Sequence, residues 1–108
     1  MNAEVQSPRS LVGVERLIHE PSRSAILAVL SAVQSADFLY LLRETGLTKG
    51  NLTVHLSKLE AAGYIKIEKT YRGKLPLTLC YLTKEGKLAF DQYREQLRQF
   101  VDRGDGLG

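Results

Sequence analysis

The sequence predicts an α+β fold that is mostly helical. Apolar residues recur at helical spacing in successive stretches from Leu11 to Val101. From Tyr64 to Tyr71 the period changes to two, the mark of a strand, and Leu77 to Leu82 is a short run mostly apolar on both sides. Glycines at 46, 63 and 73 fall where one such stretch must turn into the next.

The chain has 108 residues, which suits one domain. That domain is expected over residues 10–103, with flexible tails at 1–9 and 104–108. A hydrophobic content of 44% is enough for a small packed core. The net charge of +3 permits nucleic-acid binding without demonstrating it. Cys80 is the only cysteine, which excludes an internal disulfide and any metal site built on a cysteine pair. No cofactor and no metal are predicted. No apolar run is long enough to span a membrane. The segment MNAEVQSPRS lacks the apolar core of a signal peptide, so a cytoplasmic protein is expected. No phosphate-binding glycine loop and no nucleophile–base arrangement points to an enzyme.

Residues Ser10 to Ile18 read as a short helix, with Leu11, Val14, Leu17 and Ile18 as its apolar stripe. Pro21 suits a first helical turn, so a second helix is expected from there to about Val33. Asp37 can cap a third, Phe38 to Thr45, which Gly46 ends. Leu47 and Thr48 alone then separate it from the next helix, the stretch TKGNLTVHLSKLEAAGYI. Thr48 is its expected N-cap and Gly63 its stop. Leu52, Leu56 and Leu59 share one face of it. Gly50, Val54, Ser57 and Ala61 point the opposite way, flanked by Asn51, Thr53 and Lys58. This outer face is small, neutral or basic, and has no acid before Glu60. Two short helices with a tight glycine-containing connection form a helix-turn-helix signature. Tyr64 to Tyr71 and Leu77 to Leu82 are the two strands of a hairpin, turning at Arg72, Gly73 and Lys74. Pro76 fits just before the second strand or at a sheet edge. Thr83 caps a last helix running to about Arg103, with a stripe of Ala89, Phe90, Tyr93, Leu97, Phe100 and Val101.

A helix-turn-helix followed at once by a hairpin with a basic tip is the winged helix-turn-helix arrangement. The runs LTKGNLTVHLSKLEAAGYIKIEK and YRGKLPLTLCYLTKEGKLAF make the chain resemble the winged-helix domains of MarR- and ArsR-type transcriptional regulators. It looks most like their small stand-alone DNA-binding members. The matching features are Leu47-Thr48, His55-Leu56, the stretch from Leu59 to Ile65 ending in Ala-Gly-aromatic, and Leu82-Thr83 followed by Lys-Glu-Gly. The resemblance implies DNA binding and regulation of transcription. Metal-sensing ArsR-type proteins carry paired cysteines or His and carboxylate clusters, and this sequence has none. Any small-molecule effector is left unassigned.

Residue chemistry supports the same use. A major groove admits one α-helix. On helix 48–62, Gly50, Thr53 and Ser57 allow close approach of the backbone, with Thr48 at the helix start. Asn51 can pair with adenine and Val54 can meet a thymine methyl. Lys49 and Lys58 suit phosphate. On the wing, residues 69–78, Arg72 can enter a narrow minor groove and Lys74 can hold a neighbouring phosphate. His55 is expected as a partly buried packing residue, and His19 as a helix-end residue. Cys80 reads as a small hydrophobe, with redox sensing conditional on exposure and a lowered pKa. A homodimer is expected, held by the first and last helices through Leu11, Val14, Leu17, Ile18, Phe90, Tyr93, Leu97, Phe100 and Val101. The competing reading is a winged helix that binds protein without DNA specificity; Lys49, Lys58, Arg72 and Lys74, with Glu60 and Glu68 expected away from the contact face, favour DNA.

Overall fold

The computed structural model describes residues 15–104. In order they form α1 (Pro21–Val33), β1 (Ser35–Asp37), α2 (Phe38–Thr45), α3 (Lys49–Ala61), β2 (Ile65–Arg72), β3 (Leu75–Leu82) and α4 (Lys84–Gly104). The three strands make one antiparallel sheet in the order β1-β3-β2. This is a winged helix, as the sequence predicted.

The helix starts follow from capping chemistry. Glu20 sits extended ahead of Pro21 and its carboxylate accepts from the Arg23 N–H at 2.8 Å. Asp37 accepts from the Tyr40 N–H at 2.8 Å, opening α2. Gly46, at φ 70°, closes α2 in the left-handed conformation. Thr83 accepts from the Gly86 N–H at 2.9 Å and opens α4.

Two expectations need correction. Residues 10–14 of the proposed first helix lie outside the described residues, but 15–18 do not form a helix. They make a turn closed by the Glu15 carbonyl, which accepts from Ile18 and His19 at 3.2 and 2.9 Å. The Glu15 carboxylate also accepts from the Leu17 N–H at 3.1 Å, a local bond that competes with a helical ladder. The hairpin, in turn, is longer and tighter than expected. Arg72 pairs with Leu75, so the turn is Gly73-Lys74 alone. Gly73 has φ 64°, at the first central position where a two-residue II′ turn needs a positive φ. Pro76 lies in β3 opposite Tyr71, beyond the reach of β1, which pairs only with Leu79 to Tyr81. Among the described residues that side of β3 has no strand neighbour there, so the N–H that proline lacks is not called for.

β1 was not foreseen. After α1, Gln34 takes φ 71° and turns the chain back, and its carbonyl accepts from the Leu82 N–H at 3.0 Å. The three residues that follow then fall beside β3.

One core joins all the helices and the sheet. It holds Ile26, Leu27 and Leu30 of α1, Leu41 of α2, Leu52, Leu56 and Leu59 of α3, Ile65, Cys80, and Phe90 and Tyr93 of α4. Ile18 and Ala36 complete it.

Candidate nucleic-acid interface

The rotation of α3 is fixed by three buried leucines, 52, 56 and 59. Their burial leaves Lys49, Gly50, Asn51, Thr53, Val54, Ser57 and Lys58 exposed on the outer side, with Thr48 at the N-terminus. The Thr48 hydroxyl accepts from the Asn51 N–H at 3.1 Å, as an N-cap should. Thr53 donates its hydroxyl proton to the Lys49 carbonyl at 2.8 Å, so that proton is already used within the helix. Val54 is 51% exposed, a large apolar side chain on a face otherwise small, polar or basic.

At the other end the helix stops in a Schellman motif. The Tyr64 N–H reaches the Leu59 carbonyl at 3.0 Å and the Gly63 N–H the Glu60 carbonyl at 2.9 Å, with Gly63 at φ 82°. Thr83 ties this loop down: its N–H donates to the Tyr64 carbonyl at 3.0 Å and its hydroxyl to the Gly63 carbonyl at 2.7 Å. Gly86 packs so close that a Cβ there would collide with the Tyr64 carbonyl. The Leu-Thr-Lys-Glu-Gly run is thus the lock between α3, the wing and α4.

A polar bridge from α1 also holds α3. Arg23 donates from Nε to the Leu17 carbonyl at 2.6 Å and from its guanidinium to His55 Nδ1 at 3.1 Å. A guanidinium only donates, so Nδ1 is the acceptor and the ring proton sits on Nε2. Glu20 lies 3.9 Å from the same nitrogen, too far for a hydrogen bond. His55 is partly buried, as expected, and in addition it is the α3 end of this bridge.

The wing stands beside α3. Between them lies an open groove of about 490 Å³. Thr53, Leu56, Ser57 and Glu60 line its α3 side, Ile67, Lys69 and Thr78 its wing side, with Phe38 between. Glu60 was expected away from the contact side, but it faces this groove. Glu68 does turn away; it accepts from the Tyr81 hydroxyl at 2.8 Å on the other side of the sheet, which pushes the phenol pKa up. Arg72 and Lys74 are exposed at the wing tip. Arg72 has an immediate partner, with its guanidinium 3.9 Å from the Asp37 carboxylate.

The proposed dimer residues separate into two groups. Ile18, Phe90 and Tyr93 are buried within the chain's own core, and the Tyr93 hydroxyl bonds His19 Nδ1 at 3.0 Å. Their apolar surface is therefore not available to a partner, because the chain's own core already covers it. Leu17 and Leu97 are half-buried against that core, Phe100 is half-buried, and Val101 is 58% exposed. Leu11 and Val14 lie outside the described residues.

Cys80 is fully buried, and burial, with the charges of Glu60 and Asp37 added, pushes its thiol up to about 11. Neither condition for redox sensing is met. Among the described residues no group of three His, Cys, Asp or Glu side chains could hold a metal, and no helix is long and apolar enough to cross a membrane.

Sequence reasoning missed Arg23, Glu60 and Lys69. The signal for Lys69 was present: it shares strand parity with Ile65 and Ile67, which face the helices.

Comparison with known proteins agrees with this geometry. Residues 22–101 match the family model of the winged helix DNA-binding domain. An uncharacterised protein of Methanocaldococcus jannaschii is 32% identical over 84 residues, covering 78% of this chain and 91% of that protein. A transcriptional regulator homologue from Pyrococcus horikoshii superposes with a TM-score of 0.85 at 25% identity, over 91% of this chain and 99% of the other. A regulator of the MarR family from Enterococcus faecalis shares the fold, with a TM-score of 0.68 at 20% identity over 99% and 94% of the two chains. The chain belongs to the family of winged helix DNA-binding domains.

Proposed function

We propose that the protein is a sequence-specific double-stranded DNA-binding regulator that acts as a homodimer. Helix 48–62 enters the major groove and wing 69–78 lies on the adjacent minor groove or backbone. The observation that carries the reading is the outer side of α3. Its leucines are buried, and every other residue from Lys49 to Lys58 except His55 is exposed, with no acid among them. Asn51 is the base reader in this proposal, Val54 the thymine-methyl contact, and Lys49 and Lys58 the phosphate contacts.

Selection of bound sequences from random duplex DNA tests it, followed by fluorescence anisotropy on the selected site. A two-fold symmetric motif is expected. Affinity should fall with salt at a log–log slope of roughly −0.9 per phosphate neutralised. Failure to enrich any sequence, with no binding at low salt, would refute the proposal.

A further inference from the structure

The hairpin register divides the wing into two faces. Ile65 pairs with Leu82, Ile67 with Cys80, Lys69 with Thr78 and Tyr71 with Pro76. Cross-strand partners share a face, and alternate residues along a strand share it too. Ile65 and Cys80 are buried, so this face turns toward the helices. The groove beside α3 is lined by Ile67, Lys69 and Thr78, all from this same face. The pairing runs from Ile65 to Arg72 without a skipped residue, so Tyr71 continues the row beyond Lys69. Tyr71 is 70% exposed; among the described residues its cross-strand neighbour is Pro76, and it is not part of the packed core.

The opposite face carries Glu68 with Leu79, Thr70 with Leu77 and Arg72 with Leu75. The Arg72 side chain is largely exposed, with its guanidinium 3.9 Å from the carboxylate of Asp37, the residue that caps α2, and it lines a depression with Leu39, Tyr40 and Arg43 of α2 and with Pro76 and Thr78 at the wing's edge. It therefore points to the α2 side of the wing, away from α3.

A helix in the major groove and a wing on the next minor groove must straddle the sugar–phosphate strand that separates the two grooves. In this molecule the space between those elements is the groove lined by Thr53, Ser57, Lys69 and Thr78. Glu60 closes its inner end, near the base of the wing, and repels phosphate there. The cation and the exposed phenol lie toward the tip.

We propose that the wing holds DNA with the face it shares with α3, through Lys69 and Tyr71, while Arg72 stays on the α2 side of the wing beside Asp37. Lys69 neutralises a phosphate of the straddled strand. Tyr71 lies against the next sugar, its hydroxyl donating to a phosphate oxygen. The assignment rests on the DNA-binding reading above.

The test compares wild type with Lys69→Ala, Tyr71→Phe and Arg72→Ala by anisotropy across a salt series on the selected duplex. Lys69→Ala should weaken binding several-fold and reduce the salt slope by about 1. Tyr71→Phe keeps the ring against Pro76 and removes only the hydroxyl. It should weaken binding without changing the slope or the melting temperature, since the phenol is neutral. Arg72→Ala should lose less affinity than either and keep the wild-type slope. If Arg72→Ala lowers the slope as much as Lys69→Ala, or if Lys69→Ala and Tyr71→Phe bind as wild type does, the assignment is overturned while the DNA-binding reading stands. Wild type that binds no duplex at low salt overturns both.

Discussion

Asn51 and Tyr64 show what single side chains contribute at the two ends of α3. Asn51 is exposed one turn in from the N-cap, with its own N–H already taken by Thr48. Its side-chain amide is left free to make the bidentate pair that adenine offers in the major groove. Asn51→Ala should cost on the order of 1–3 kcal/mol on the preferred site and little on unrelated duplex. Equal losses on both, measured by competition binding, would remove it as a base reader. Tyr64 acts on stability. Its hydroxyl donates to the Glu15 carboxylate at 2.7 Å, and that bond, with burial and the carboxylate charge added, pushes the phenol up to about 12 from 10.0. The folded pKa is raised, so the stabilisation is complete below pH 10 and is lost as pH rises toward 12. Tyr64→Phe should be less stable by about 1 kcal/mol at neutral pH. The gap between variant and wild type should shrink by about pH 11. Urea unfolding at both pH values checks this, and a gap that does not change with pH contradicts it.

Among the elements, α3 and α4 were legible in the sequence because their ends carry chemistry as well as pattern. Thr48, Gly63 and Thr83 each perform the capping role their residue type suggests. The wing was legible as alternation, but its tip was not, since Arg72 and Leu75 pair only once the register is known. β1 was illegible because Ser35, Ala36 and Asp37 carry no strand pattern; they are a strand only because β3 lies beside them. The segment 15–18 misled for the opposite reason. It has helical spacing, yet Glu15 spends its carboxylate on the local Leu17 N–H and on Tyr64. Of the proposed interface, the exposure of the α3 residues could be read from the leucine spacing. The direction of Glu60 could not, because it depends on where the wing stands. Gly86 tests the α3–α4 lock. A methyl there meets backbone at Tyr64, which cannot rotate aside as a side chain can. Gly86→Ala should destabilise by on the order of 3 kcal/mol despite alanine's better helix propensity. Thermal unfolding would show a fall of roughly 10 °C or more. A melting temperature at or above wild type would mean the contact can relax.

On the scale of the whole molecule, the question is what covers the far end of α4. The first half of its stripe, Phe90 and Tyr93, is buried by the chain itself. Beyond Leu97 the same stripe continues through Phe100, half-buried, and Val101, which is more than half exposed. The other side of that end is ionic, with Arg98 paired to Glu95 and Asp102. A helix that is apolar on one side and ionic on the other, past the point where the described residues support it, is suited to pairing with a copy of itself. Two-fold pairing there would present two α3 helices to DNA. Half-sites of a palindrome one duplex turn apart, roughly 34–36 Å, would be read together. Phe100→Glu with Val101→Glu is a better test than a change at Leu97, because Leu97 packs against the protomer's core and its loss would confuse unfolding with dissociation. The double variant should sediment as a monomer and keep the wild-type melting profile of the monomer's core. It should bind a single half-site about as well as wild type and the full palindrome far more weakly. Wild type that sediments as a monomer at micromolar concentration, with palindrome affinity unchanged in the variant, would leave the exposed end of α4 without this role.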